Sequence, residues 1–143
     1  LLRLAAEERP NLVVTLHTGA PPRNYFTRMH RPFTLPHLVP MFEDYYRHVH
    51  TRLTERNLQD TQDVELEADP KRQGESAFNL CTVFSLHCGA LSVVVEAPSH
   101  SFSGYGRDGR IVFQSPESIL DAQLTVYEAS MEFLASSSHV ESS

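Results

Sequence analysis

The run Leu91-Ser92-Val93-Val94-Val95 constrains this chain more than any other stretch. It is short, largely β-branched, opened by Gly89 and closed by Pro98. It shows no alternation of apolar and polar residues, so it predicts a strand buried on both faces, as in the middle of a parallel sheet. Glu96 then stands at its C-terminal end. In open α/β sheets, ligands bind in the crevice outside the carboxyl ends of the strands. A glutamate there is either a solvated strand-end acid or a catalytic base.

A second run of the same kind lies upstream. Leu1 to Arg9, rich in Leu, Ala and Glu, predicts the tail of a helix stopped by Pro10. Asn11 to His17, Asn-Leu-Val-Val-Thr-Leu-His, predicts a buried strand that ends in a histidine before Thr18-Gly19-Ala20-Pro21-Pro22. Helix, turn and strand in that order make half of a βαβ unit. His17 and Glu96 therefore both stand where an apolar strand ends and a Gly/Pro-marked loop begins. The fold class expected is α/β, with helices packed on a mainly parallel or mixed sheet, in one domain over residues 1–143. The chain opens on Leu1-Leu2-Arg3-Leu4, a helix-interior pattern with no Met, so a longer parent protein is expected.

The remaining segments fill in around these strands. Residues 18–36, rich in proline and aromatics, predict a long ordered loop near a site. His37 to Leu58 predicts the longest helix, with Leu38, Phe42, Tyr45, Val49 and Leu53 as its buried stripe. His48 and His50 fall off that stripe and are expected at the surface. Residues 59–76 are polar and charged: a solvated connection, with a short edge strand at Val64 to Leu66, or a lid. Ala77 to Cys88 predicts a helix ended by Gly89. Residues 97–113 predict a loop. Its Gly104-Tyr105-Gly106-Arg107-Asp108-Gly109 lies too far after the strand for a dinucleotide fingerprint, and Arg110-Ile111-Val112-Phe113 follows instead of a helix. Ser115-Pro116-Glu117 supplies an N-cap, a first-turn proline and a first-turn acid for a last helix. Leu120, Leu124, Tyr127, Met131 and Leu134 form its apolar stripe. Residues 137–143 predict a frayed tail.

Composition excludes some partners. With a net charge of -6 and no basic block, the chain has nothing to neutralise phosphates, so neither nucleic acid nor an anionic membrane is an expected partner. No apolar run is long enough to span a bilayer. Cys81 and Cys88 are about 10 Å apart along one predicted helix, too far for a disulfide within it. Two buried thiols are expected, and no Cys-x-x-Cys pair marks a structural zinc site.

A histidine at one strand end and a glutamate at another, on the same edge of a sheet, suit a metal hydrolase. A neutral imidazole binds Zn²⁺ directly. A nearby carboxylate can take a proton from water and pass it to a leaving group. The chain here resembles the zinc carboxypeptidase (funnelin) family. The resemblance rests on Leu-His-Thr-Gly at 16–19, on Leu-Ser-Val-Val-Val-Glu at 91–96, and on the closing helix from Ser115 to Leu134. It implies that His17 is a Zn²⁺ ligand, that Glu96 is the general base, and that the substrate is a peptide or small amide. It covers most of the chain in element order. The family's first two ligands lie in a His-x-x-Glu motif, and none of the 8 histidines here is followed by Glu three residues on. The chain is therefore expected to be the C-terminal portion of a zinc-carboxypeptidase-like catalytic domain, inactive alone. Two further readings stay open: a non-catalytic binding or scaffold module of the same fold, and a related zinc deacylase acting on small acyl amino acids.

Other sites carry less. His87 and His100 bracket the Glu96 strand and read as structural, with His100 near enough in sequence to reach a metal at Glu96. Cys88 with His87 or His17 is a conceivable nucleophile pair, but cysteines beside apolar helix residues are usually inert. No Gly-x-Ser-x-Gly elbow supports a serine hydrolase.

Overall fold

The computed structural model describes residues 1–20, 25–27, 35–58, 80–98, 103–105, 110–113 and 115–137; for His17, Tyr25 and Glu96 it describes the backbone. Among the described residues, four helices and two small sheets make an α/β fold. The order is α1 (Leu2–Glu8), β1 (Leu12–Ala20), β2 (Tyr25–Thr27), α2 (Leu38–Glu55), α3 (Leu80–Cys88), β3 (Leu91–Pro98), β4 (Ser103–Tyr105), β5 (Ile111–Phe113) and α4 (Pro116–Ser137). The main sheet is mixed, in the order β1-β3-β2: β1 pairs parallel with β3, and β2 pairs antiparallel with it. A separate antiparallel hairpin joins β4 to β5.

The β-branched run forms the central strand. Leu91, Val93 and Val95 pack into one core with Phe42, Tyr45, Tyr46, Val49 and Leu53 of α2 and Ala122, Val126 and Ala129 of α4. Successive strand residues face opposite sides of a sheet, yet Ser92 is as fully buried as its neighbours. Both faces of β3 are therefore covered. α3 packs on β3 and on α1, and it adds buried Thr82, Phe84 and Ser85, with Ala5 of α1 also buried. Ser92 Oγ is buried with no hydrogen-bond partner among the described residues.

The expected twin of this strand is only half-buried. Leu12, Val14 and Leu16 lean on the core from β1, which flanks β3 rather than lying between two strands of the described sheet. Both strands run further than their apolar runs, to Ala20 and Pro98. Two segments expected to be loops contain short strands. Tyr25–Thr27 lies within the long loop and pairs with the end of β3; β4 and β5 lie within the glycine-rich stretch. Elements of three residues give too little alternation to be seen in sequence. Residues 106–109, with most of the glycine triplet, lie outside the described residues, as do 59–76 with the suggested edge strand.

Helix ends follow their signals. The Ser118 N–H donates to Ser115 Oγ at 3.2 Å, and hydrogen bonds from the backbone and from Ser115 hold the Glu117 carboxyl below its usual range. The Gly89 N–H donates to Ser85 O at 3.0 Å and closes α3 at φ 74°, the left-handed region. A Cβ added there would meet nothing within 4 Å, so any cost of substitution is backbone strain alone. Gly89→Ala is expected to lower stability by about 1–2 kcal/mol, read as a shift in the urea midpoint at constant slope. An unchanged midpoint would show that this turn does not hold its conformation in solution.

The α2 stripe is buried as expected, but the α4 stripe is not. Leu120, Leu124, Tyr127, Met131 and Leu134 are exposed, and the buried side of α4 is Ile119, Ala122, Thr125, Val126, Ala129 and Ser130. The small residues allow α4 to approach α2 and β3 closely, which five large side chains would not. His48 and His50, expected at the surface, are half-buried. His50 stacks on Tyr46, and His48 Nε2 lies 3.3 Å from Glu132 Oε2, near enough for an ion pair when protonated but without hydrogen-bond geometry.

Candidate functional site

The register of the sheet sets the site. β1 and β3 run parallel with Leu12 opposite Leu91, and each following residue keeps step until His17 stands opposite Glu96. The two residues picked from strand ends are direct Cα partners. On the other side of β3, Tyr25 of β2 is the antiparallel partner of Glu96. His17, Glu96 and Tyr25 thus form one row across three strands, spaced about 4.8 Å per strand. Cross-strand partners share a face of the sheet. Leu91, Val93 and Val95 belong to the α2–α4 face, so alternation puts the row's register on the opposite one.

Just beyond the row the ladder breaks. Thr18 pairs with Ala97, but Ala20 pairs with Pro98, so Gly19 is an extra residue in β1. Bulges bend a strand and end regular pairing, and they are common beside active sites. Pro98 has no N–H to continue the ladder. The register therefore shifts two residues past His17, near the carboxyl edge where α/β sheets bind ligands.

The donor set can be compared with what zinc requires. An imidazole and a carboxylate are both zinc-ligand types, but a catalytic site takes three protein ligands and an open position. Among the described residues no group of three His, Cys, Asp or Glu side chains could hold a metal ion. The row thus fits the group in kind, as one ligand and one base, while the described residues do not complete a coordination sphere.

Of the other candidates, His87 and Cys88 do not join the row. His87 is exposed in the last turn of α3, and His100 lies outside the described residues. Cys88, expected to be buried, is half-buried, and its thiol donates to Phe84 O at 3.0 Å. It precedes the start of β3, whereas His17 aligns with Glu96 near that strand's end, about 16 Å away at five residues of rise. A Cys88–His17 nucleophile pair is therefore ruled out. Cys81 is in α3, and its side chain lies outside what is described.

Two features escaped the sequence reading. Tyr25 was hidden in an apparent loop, and only its pairing brings it to Glu96. The second is a cavity of about 360 Å³ at the opposite edge of the sheet, bounded by Leu12 and Leu91, by His37 just before α2 and Met41 within it, and by Phe133 and Ser137 of α4. It lies at the amino ends of the strands and takes no part in the row. No sequence signal marks it, because it is made by the ends of four elements that meet only in the fold.

The fold and its row define a small α/β unit with a histidine–glutamate pair at a broken strand edge. No family model, curated protein or solved structure matches the chain.

Proposed function

We propose that the chain contributes to a zinc-dependent, carboxypeptidase-like hydrolase of peptide or amide bonds, as the C-terminal portion of its catalytic domain. The observation that supports this most is the register pairing of His17 with Glu96 near the carboxyl edge, two residues before the bulge at Gly19. The resemblance of residues 16–19 and 91–96 to zinc carboxypeptidases points the same way. In this reading His17 is one metal ligand, held by a strand whose register is fixed over eight Cα pairs from Leu12 to Ala20. Zn²⁺, when bound, supplies Lewis acidity that makes water acidic near neutral pH and polarises a carbonyl.

Glu96 does the proton work. As a carboxylate at the strand edge it accepts a proton from the attacking water and returns it to the leaving amine, so the group cycles within each turnover. Its adjacency to His17 is fixed by backbone hydrogen bonds rather than by loop conformation. That arrangement holds acid–base and ligand groups in a constant relation. A second reading, a binding or scaffold module of the same fold, rests on the chain's having no His-x-x-Glu motif of its own. A deacylase acting on small acyl amino acids uses the same groups and differs in substrate.

The test is metal content. The chain by itself is expected to bind zinc weakly, since one of the usual three protein ligands is assigned in it. Tight one-to-one binding in a calorimetric titration would place the metal elsewhere and end the assignment of His17. In the complete gene product, His17→Ala is expected to lower zinc per protein and activity together. Full zinc retention in that variant supports the scaffold reading or a different ligand set.

A further inference from the structure

The outward face of α4 is built as a seam. Leu120, Leu124, Tyr127, Met131 and Leu134 are 54, 47, 47, 64 and 37% exposed. They recur at spacings of four, three, four and three, the 3.5-residue period of a helix that meets another helix. The opposite face is already taken by α2 and β3. A continuous apolar patch of several hundred Å² is about as large as the largest patch a monomer exposes, and such patches are often functional.

We propose that this seam is a self-association surface, on which two copies of the chain pair α4 against α4. Three observations favour a second copy as the occupant. An isologous contact needs a surface complementary to itself. A 3.5-residue seam is that, because its knobs and holes recur at the spacing of an identical seam. Tyr127 is the middle residue of the five and meets its own counterpart whether the helices run parallel or antiparallel.

Area is the second. Five large side chains about half exposed offer roughly 500 Å² per copy, and the flanking residues bring this toward the ~800 Å² per partner of a standard interface. Charge is the third. On one flank Glu128 is ion-paired with Arg56 and Glu132 with Arg52, while the other flank carries Gln123, which is uncharged. The remaining acids of α4, Glu117 and Asp121, stand in its N-terminal turns, away from the centre of the seam. Two acidic chains can therefore meet along α4 without setting unneutralised charges against each other at the middle.

Sedimentation velocity of the chain over about 1–100 µM tests this directly, a range that spans micromolar dissociation constants. The expected result is a monomer–dimer equilibrium. The doubly substituted Leu124→Glu, Met131→Glu chain is expected to stay monomeric throughout, with unchanged far-UV circular dichroism because both positions face outward. As an independent readout, Tyr127→Cys in a background with Cys81 and Cys88 replaced by serine is expected to cross-link to itself on mild oxidation. The same background carrying Thr51→Cys, on the exposed surface of α2, is not. A chain that remains monomeric at the upper concentration overturns the proposal. So does a doubly substituted chain that dimerises like the parent, or a Tyr127→Cys chain that fails to cross-link.

Discussion

Glu96→Gln is expected to remove amide hydrolysis by the complete gene product, by a factor on the order of 10²–10⁴, while zinc content and melting temperature stay unchanged. The amide is close to isosteric with the carboxylate, and β3 keeps its backbone pairing to both neighbours through this register position. On the proposed reading, what is lost is the group that accepts and returns the proton. His17→Ala is expected to differ in one decisive respect, by depleting metal as well as activity. The pair of variants therefore separates a base from a ligand, and kcat with zinc per protein is the measurement. A Glu96→Gln enzyme that hydrolyses peptides at near the parent rate excludes Glu96 as the base and removes the main support for a hydrolase. A lowered melting temperature with residual activity marks Glu96 as a structural strand-end residue.

The strands that carry this pair could be read from sequence because their signal is local. A β-branched run between Gly89 and Pro98 is a strand in almost any context, and the Asn11–His17 run repeats the pattern. What brings the two ends together is not local. The register of Leu12 with Leu91 decides that His17 meets Glu96, and a slip of one residue would set them on opposite faces. Nothing in either run encodes that register separately; it follows from how α2, α3 and α4 cover the sheet. Tyr25 was missed for the same reason, since a three-residue strand shows itself only through its partner.

The reversal of α4 has a different cause. Hydrophobic periodicity finds a stripe but does not say what the stripe meets. In α2 the large residues face the core, and Leu38, Phe42, Tyr45, Val49 and Leu53 are all buried. In α4 five large residues face outward, and the inward side mixes small residues with Ile119, Val126 and the partly buried Phe133. Ala122, Ala129 and Ser130 let the helix approach α2 and β3 closely, and Val126 joins them in the core. Size, and not only polarity, selected the buried face.

The contact that locks α4 to α2 gives the largest stability effect expected. Tyr45 is fully buried, and its ring meets Phe133 edge-on at 5.3 Å between centroids. Its hydroxyl lies 2.8 Å from Ser130 Oγ, and Ser130 in turn donates to Val126 O at 2.6 Å. The serine's one proton is thus committed to Val126, so Tyr45 is the donor to Ser130. Tyr45→Ala removes the ring and the donor together and is expected to cost about 3–5 kcal/mol, as large-to-small changes of aromatic core residues do. Tyr45→Phe keeps the ring and is expected to cost only about 0.5–1.5 kcal/mol. Burial also pushes the Tyr45 phenol up from 10.0 to about 12. Between those values the unfolded chain has lost the proton and the folded one retains it, so the unfolded state binds fewer protons and stability falls as pH rises. The contribution is complete below pH 10, is lost by about pH 12, and amounts to about 2–3 kcal/mol. Tyr45→Phe should therefore flatten this part of the alkaline limb while lowering stability slightly at pH 7. Urea unfolding of both variants from pH 7 to 12 checks the argument, and a Tyr45→Phe profile parallel to the parent's above pH 10 would show that another group unfolds the protein in alkali.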